Sequence, residues 1–216
     1  MQIDSKYVGI ISYEKGIELM EEKINEAVQQ KKCYVYGMEN HLVYTAGIKT
    51  NVDHILENIP VVKSRRGGSI TLHNPGQLVF YAILPIKSIQ GGMVEYIRML
   101  ENVIINTLKQ YGVRAFLHPD HTGVWTNSGK IAFVGLALKN KCIYHGCAIN
   151  VENDLEDYAP IKSCGLDLPI TRLIDELNSP AKDSLSLPDF YTKMEEQYSK
   201  SLQKIILGNY FKKLAH

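Results

Sequence analysis

Cys164, followed by Gly165, is the residue of this sequence that best suits nucleophilic chemistry. It comes after the acidic segment 153–157 and a turn at Pro160, so the pattern predicts that it lies in a loop. Loop residues held by a rigid scaffold often carry function. A free cysteine is nevertheless more often a small, half-buried and unreactive side chain. Position alone therefore leaves two interpretations open, a nucleophile and an inert thiol.

The stretch 65–77 reads RRGGSITLHNPGQ and places two arginines directly before two glycines. Because glycine has no Cβ, a ligand can approach the main chain there. Thr71 and His73 share a face if the stretch forms a strand. The Asn-Pro-Gly sequence at 74–76 is typical of a tight turn, and the apolar run 78–84 predicts a buried strand behind it. We interpret 65–77 as a polar, glycine-lined edge attached to a core strand.

Lys130 opens a predicted apolar strand directly after a glycine. Lysine is rarely fully buried, so its amine either lies near a buried site or stays in solvent at a hairpin end, and position alone favours the solvent. The basic residues Lys63, Arg65 and Arg66 pose a similar question. They either attract an anionic partner or form a solvated edge, and counting charges does not separate the two.

Two groups of side chains suggest a metal site, but their spacing argues against one. On a strand, His145 and Cys147 share a face while Cys142 points the other way, so a tetrahedral zinc would lack a convergent third ligand. The cluster at 118–121 (HPDH) is more typical of a loop between strands. We predict no metal site, and we interpret His145-Gly146 as a polar notch where a ligand approaches the backbone.

Hydrophobic periodicity predicts helices and strands interspersed without strict βαβ alternation. Helices are predicted from Ser12, from Gly91-Gly92 and from about Thr171, with Ser186 and Asp189 in the spacing of a capping box. Strands are predicted over 33–38 and 42–45, joined by a turn at Glu39-Asn40, and over 78–84, 113–117, 123–126, 130–138 and 142–151. The pattern favours one α/β (α+β) domain over 1–216, built on a mixed sheet flanked by helices.

Length, composition and charge exclude several classes of protein. The 216 residues, 45% of them hydrophobic, are enough for a sizeable core, and the net charge of +1 argues against a dedicated nucleic-acid-binding protein. Four cysteines are too few for a disulfide framework and indicate a reducing compartment. The N-terminus lacks an apolar run of signal length, and no stretch reaches about 18 apolar residues. We expect a cytoplasmic protein with neither a nucleic-acid nor a membrane partner.

Taken together, these segments resemble the lipoyl(octanoyl) transferases, the family that moves octanoyl groups from acyl carrier protein to lipoyl domains. The matching motifs follow the family's order and cover the chain from about residue 35 to residue 172. They are 41–47 (HLVYTAG), 54–56 (HIL), 60–62 (PVV), 66–68 (RGG), Thr71, His73, 75–77 (PGQ), 123–125 (GVW), 130–132 (KIA), Gly135, 145–146 (HG), Ala148, 150–151 (NV) and 164–165 (CG).

The resemblance implies roles for individual residues. Cys164 corresponds to the family's nucleophile, which carries the acyl group as a thioester, and Lys130 to the lysine that lowers the thiol pKa and handles its proton. The family usually has proline before the cysteine, whereas this sequence has Ser163. The residues that correspond to the lining of the acyl site are Arg66, Gly67, Gly68, Ser69, Ile70, Thr71, Leu72, His73, Phe133, Val134, Gly135, Gly146, Cys147 and Ala148.

The resemblance also implies a fold, an activity and partners. The fold is that of the biotin and lipoate protein ligases. The activity is transfer of octanoyl from octanoyl-acyl carrier protein, through a cysteine thioester, to a lysine of lipoyl domains of 2-oxoacid dehydrogenases and of the glycine cleavage H protein. Exchange of one thioester for another is close to neutral in energy and amide formation is downhill, so no ATP, cofactor or metal is expected. Carrier proteins are acidic, which makes Lys63, Arg65 and Arg66 candidate docking charges.

Three details of this chemistry stay open at the level of sequence. Either Lys130 or His73 accepts the proton of the attacking amine. Backbone N–H groups of Gly67-Gly68 or of Gly165 stabilise the oxyanion. An apolar tunnel holds the eight-carbon chain at roughly 0.8 kcal/mol per buried CH₂, and its candidate walls are Tyr81, Ile131 and Phe133.

Two other functions compete with the transferase. An ATP-dependent lipoate ligase of the same superfamily would activate free lipoate as an adenylate and would not need Cys164. A non-catalytic protein that binds acyl carriers or lipoyl domains would never form a thioester.

Overall fold

The computed structural model of the chain describes residues 1–163, 168–178 and 180–206. Over these ranges the chain forms ten strands and four α-helices. The strands are β1 (Ile3–Ile11), β2 (Cys33–Asn40), β3 (Val43–Ala46), β4 (Val61–Lys63), β5 (Ile70–His73), β6 (Gln77–Pro85), β7 (Phe116–Leu117), β8 (Val124–Trp125), β9 (Lys130–Lys139) and β10 (Cys142–Asn150). The helices are α1 (Tyr13–Gln30), α2 (Gly92–Gln110), α3 (Leu173–Glu176) and α4 (Leu187–Ile206).

The strands form two sheets. The larger has the order β1-β2-β6-β10-β9-β8-β7, and the smaller has the order β4-β3-β5. β1 pairs with β2, and β3 with β4, in parallel, while the other pairs are antiparallel. This confirms the predicted mixed sheet flanked by helices.

The two faces of the large sheet are covered by different elements. α2 and α4 pack on one face, where their apolar residues join β6 and β10 in the main core. α1 packs on the other face around Met20 and Ile24. A third cluster, which includes Ile70, Leu72 and Phe133, joins the small sheet to β9. The Tyr13 hydroxyl of α1 donates to Ser64 Oγ, directly after β4, at 2.8 Å, so the small sheet also lies beside α1.

Local sequence signals account for several elements. The Ser12 side chain accepts a hydrogen bond from the Lys15 N–H and caps α1, as predicted. Ser186 accepts from the Asp189 N–H at the start of α4. The predicted turn at 74–76 is present, with Gly76 at φ 86° and a bond from Gln77 N to Asn74 O. β6 behind it is buried along its whole length.

Two strand predictions need correction. Glu39 and Asn40 do not form a turn, because they pair with the end of β1 and extend β2, so the chain turns at 41–42 and β3 joins the other sheet. The strand predicted over 113–117 is reduced to β7. There the Val113 N–H bonds the Leu108 carbonyl and completes the end of α2 instead of pairing with a strand.

Candidate functional site

The loop 66–69 is held by the buried guanidinium of Arg66, which is 8% exposed. Its Nη2 donates to Thr45 O (2.6 Å) and Thr45 Oγ1 (2.8 Å) on β3, and its Nη1 donates to Ser69 O (2.8 Å) and Gly67 O (3.1 Å). Arg66 is therefore not an available docking charge. Lys63 and Arg65 remain exposed.

A cavity, called here the central cavity, opens between this loop, β5, β6, β9 and β10. Most of the residues predicted to line the acyl site meet here. The lining comprises Arg66, Gly67, Gly68, Thr71, His73, Val79, Tyr81, Phe133, Val134, Gly135, His145, Gly146, Cys147 and Ala148. Tyr81 and Phe133, two of the predicted tunnel walls, belong to it.

Four predicted residues do not line the central cavity. Ile70 and Leu72 alternate with Thr71 and His73 along β5, so their side chains enter the small-sheet core on the opposite face. Ser69 instead hydrogen bonds His54 Nδ1 (2.9 Å). Ile131, the third candidate wall, packs in the main core.

The N–H of Gly67 cannot stabilise an oxyanion in this arrangement, because it already donates to Leu136 O on β9 at 2.8 Å. This bond closes the loop against β9. Gly135 of β9 packs closely against the loop, since a Cβ added at Gly135 would lie 3.1 Å from Gly67 O. Of the other two glycines considered for that role, Gly68 lines the central cavity and Gly165 lies outside the described residues.

His73 is held by a chain of buried amides that crosses from β6 to β10. Gln77 Nε2 donates to Asn150 Oδ1 (2.9 Å), so its Oε1 accepts from His73 Nδ1 (2.7 Å). Asn150 in turn donates to Thr171 O (3.1 Å). This fixes the tautomer, with the proton on Nδ1 and an acceptor at Nε2. Gln77 and Asn150 belong to the matched motifs, but their supporting role was not predicted.

His145 differs most from the prediction. Its φ is 65°, a left-handed value that is uncommon for a residue with a Cβ. The ring consequently stacks on the neighbouring Tyr144 and lies edge-on to Tyr81, whereas Cys147 packs in the main core. The prediction that His145 and Cys147 share a face is therefore wrong, because the left-handed residue breaks the alternation. His145 is only 3% exposed and lines the central cavity; the sequence places it in a polar notch but not among the residues that line the acyl site.

Burial lowers the pKa of both cavity histidines. Desolvation, followed by the charge on Arg66, lowers the pKa of His145 to about 3. Desolvation also lowers the pKa of His73 to about 4, and its bond to Gln77 only partly opposes this shift. Both imidazoles are neutral near pH 7.

These shifts predict a loss of stability on acidification. Below pH 6.5 both histidines are protonated in the unfolded chain but not in the folded one. Lowering the pH therefore favours the unfolded chain, until His73 is also protonated in the folded chain at about pH 4 and His145 at about pH 3. We expect the free energy of unfolding to fall by about 1.4 kcal/mol per pH unit for each histidine. His73→Asn, which keeps a donor for Gln77, should show a shallower fall in urea denaturation between pH 6.5 and 4.5. An unchanged slope in this variant would contradict the assignment.

Lys130 is buried, with 4% of its surface exposed, contrary to what position alone favours. Its Nζ donates to Thr122 O (2.8 Å) and lies 5.3 Å from the centre of the Trp125 ring and 4.9 Å from that of Phe133. It lines a second cavity of about 270 Å³, called here the lysine cavity. The two cavities share Gly68 and Val134.

Cys164 lies outside the described residues, but the chain on either side of it is held at the site. Before it, Ser163 is buried with its Oγ 3.4 Å from Thr71 Oγ1, a contact that a proline could not make. After it, Lys130 N donates to Pro169 O (2.9 Å) and Thr171 N donates to Lys130 O (3.0 Å). One flank therefore touches the wall of the central cavity and the other pairs with Lys130.

The described cysteines are buried free thiols. Burial raises the pKa of Cys33 and of Cys142 to about 12 and raises that of Cys147 as well. Within residues 1–163, 168–178 and 180–206, no three His, Cys, Asp or Glu side chains converge as a metal site would require. Among the helices of these same ranges, none is long and apolar enough to cross a membrane.

Solved structures share this fold at low sequence identity. A bipartite lipoate protein ligase from Thermoplasma acidophilum, studied with its E2 lipoyl domain, superposes with a TM-score of 0.67 at 14% identity, covering 94% of this chain and 84% of the other. Biotin protein ligase from Aquifex aeolicus superposes with a TM-score of 0.57 at 13% identity, covering 97% and 73%. The fold is thus the one that the resemblance implied.

Sequence comparisons identify the family. The octanoyltransferase of Pseudomonas syringae pv. syringae is 37% identical over 172 residues, which are 78% of this chain and 79% of the relative. That of Nitrosospira multiformis is 32% identical over 194 residues, 85% and 90% of the two chains. The model of the lipoyl protein ligase A/B catalytic domain matches residues 13–199. Over nearly its whole length, therefore, this chain is a member of the lipoyl protein ligase A/B catalytic-domain family.

Proposed function

We propose that this protein is an octanoyltransferase that moves octanoyl from octanoyl-acyl carrier protein to a lysine of lipoyl domains, through a thioester on Cys164. Its relatives named octanoyltransferase support the reaction. The acceptors are the lipoyl domains of 2-oxoacid dehydrogenases and the glycine cleavage H protein, and the catalytic unit is the domain 1–216.

The observation that carries the proposal is the anchoring of both flanks of Cys164. Ser163 contacts Thr71 in the wall of the central cavity, and Pro169 pairs with Lys130. This bracketing supports a nucleophile between an acyl pocket and a buried ammonium, which lowers the pKa of a nearby thiol. The other cysteines are poor candidates because burial raises their thiol pKa.

The reaction has two steps that balance without a cofactor. The Cys164 thiolate attacks the carrier thioester: the bond from its sulfur to the acyl carbon forms, the carrier's own carbon–sulfur bond breaks, and the carrier thiol leaves with the proton that the Lys130 ammonium gives up. The neutral acceptor amine then attacks the new thioester: the amide bond forms, the carbon–sulfur bond to Cys164 breaks, and the thiolate is released while the now neutral Lys130 amine takes up the proton of the acceptor. Because the pKa of His73 is only about 4, it is a weak proton acceptor at neutral pH, and Lys130 is the better candidate.

We assign a different part of the substrates to each cavity. The central cavity, with apolar walls from Val79, Tyr81 and Phe133, suits the acyl chain. Because Lys130 lines the lysine cavity, we assign that cavity to the carrier's thiol arm and, in the second step, to the acceptor lysine.

Intact mass spectrometry after mixing with octanoyl-acyl carrier protein tests the proposal. We expect one octanoyl adduct on the wild type, discharged by a lipoyl domain. Cys164→Ser should show no adduct, whereas the matched control Cys33→Ser, at a thiol in the main core, should keep it. A folded wild type that forms no adduct but modifies a lipoyl domain from free lipoate and ATP would instead establish a ligase. Binding of carrier or lipoyl domain without any transfer would establish a non-catalytic protein.

A further inference from the structure

Glu101 on α2 is a buried carboxylate that the proposed chemistry does not use. It is 2% exposed and lies on a helix whose neighbouring residues Leu100 and Ile104 are fully buried in the main core. Burying a carboxylate is costly unless it is paired or hydrogen-bonded. Arg98 lies 3.5 Å from its Oε2, but Arg98 is half exposed, so this ion pair offsets little of the cost.

The other oxygen of Glu101 connects it to Lys130 through one peptide group. Gly123 N–H donates to Glu101 Oε1 at 2.8 Å, and Lys130 Nζ donates to Thr122 O at 2.8 Å. That N–H and that carbonyl belong to the same peptide bond, between Thr122 and Gly123. A carboxylate, a peptide dipole and an ammonium are thus arranged in sequence, each oriented to favour the next.

The geometry of this peptide depends on a glycine. Gly123 has φ 117°, and an added Cβ would lie 2.4 Å from Ala132 O and 2.8 Å from Lys130 Cε. With the backbone in this conformation, the Thr122 carbonyl faces the ammonium and the Gly123 N–H faces α2. Without an acceptor on α2, that N–H would be buried and unsatisfied, which costs about 1–3 kcal/mol and favours rotation of the peptide.

We propose that Glu101 is a positioning residue for Lys130, acting through the Thr122–Gly123 peptide. Its carboxylate orients the carbonyl that holds the ammonium and supplies a buried negative charge behind it. Burial raises the pKa of Glu101, while the Gly123 bond and then the charges of Arg98 and Lys130 oppose that rise. The catalytic consequence rests on the proposed function of Lys130, but the structural link does not.

Two variants separate the hydrogen bond from the charge. Glu101→Leu removes both, and Glu101→Gln keeps an acceptor oxygen but no charge. We expect Glu101→Leu to displace or broaden the Lys130 ammonium signal in ¹⁵N NMR and to lower kcat about 10–100-fold with KM for octanoyl-acyl carrier protein within about two-fold. Glu101→Gln, which is nearly the same size and shape as the wild type, should give a Lys130 signal and a kcat between those of Glu101→Leu and the wild type.

Arg98→Ala is the matched control, because it removes the ion pair at Oε2 and leaves the Gly123 bond in place. It should keep the Lys130 signal and kcat within about two-fold. Folded Glu101 variants with an unchanged Lys130 signal and unchanged kcat would overturn the proposal. If the wild type transfers no octanoyl, the proposed function fails, while the NMR comparison still decides whether Glu101 positions Lys130.

Discussion

Replacing Lys130 with methionine is expected to lower kcat for octanoyl transfer by about 10³-fold, within the 10²–10⁴-fold range typical of general acid–base catalysis. Two losses combine. In the proposed mechanism the Cys164 thiol loses the positive charge that lowers its pKa, so less thiolate forms at neutral pH. The acceptor amine also loses the group that we propose takes its proton.

The structure makes methionine a suitable replacement. Lys130 is buried with its Nζ over the rings of Trp125 and Phe133, and methionine fills a similar volume without a charge. We therefore expect the melting temperature to change by only a few degrees. The thiol pKa is read from the pH dependence of alkylation by iodoacetamide, and kcat from single-turnover transfer to a lipoyl domain.

Lys130→Arg separates the two losses. Arginine keeps a positive charge but does not release its proton in proteins, so it can favour the thiolate yet cannot carry a proton. We expect its alkylation profile to stay nearer to wild type than that of Lys130→Met, while kcat remains at least about 100-fold reduced. Should Lys130→Met retain kcat within about ten-fold, Lys130 would be a packing residue and the proton would need another acceptor.

Local sequence patterns were sufficient for the scaffold of this site. The Asn74-Pro75-Gly76 turn and β6 follow from fixed φ at proline, positive φ at glycine and an uninterrupted apolar run. The cap at Ser12 follows from its side-chain oxygen. Each of these signals depends on neighbours within a few residues, which is the range over which sequence reasoning is reliable.

The functional geometry depends on contacts between distant positions. His145 adopts φ 65° within a strand, and nothing next to it in sequence requires this. From the sequence alone, Glu101 is an ordinary polar residue of an amphipathic helix. Only the tertiary structure shows that it accepts a hydrogen bond from the Gly123 N–H. The proposed relation between Lys130 and Cys164 likewise has no local signal, since 34 positions separate the two residues, and it rests on the family resemblance. Such sites depend on tertiary contacts that override local rules.

The second large effect concerns Arg66 and is mainly one of stability. Arg66→Met would leave Thr45 O and Ser69 O buried without the guanidinium that bonds them at 2.6 and 2.8 Å. We expect the free energy of unfolding to fall on the order of 3–5 kcal/mol, since each hydrogen bond to a charged group contributes about 1.5–3 kcal/mol. Arg66→Lys should recover only part of this loss, because an ammonium cannot reproduce the planar fork that spans β3 and the 66–69 loop.

The neighbouring Arg65 provides the control for that experiment. It is exposed, so Arg65→Met should change the free energy of unfolding by no more than about 0.5 kcal/mol in urea denaturation. Equal losses in the two variants would show that the Arg66 network does not hold the loop. If the network does hold it, Arg66→Met should also lose octanoyl transfer at temperatures where it remains folded, because Gly67 and Gly68 line the central cavity from the same loop. The positive charge at position 66 then serves to build the pocket wall and not to attract the carrier protein.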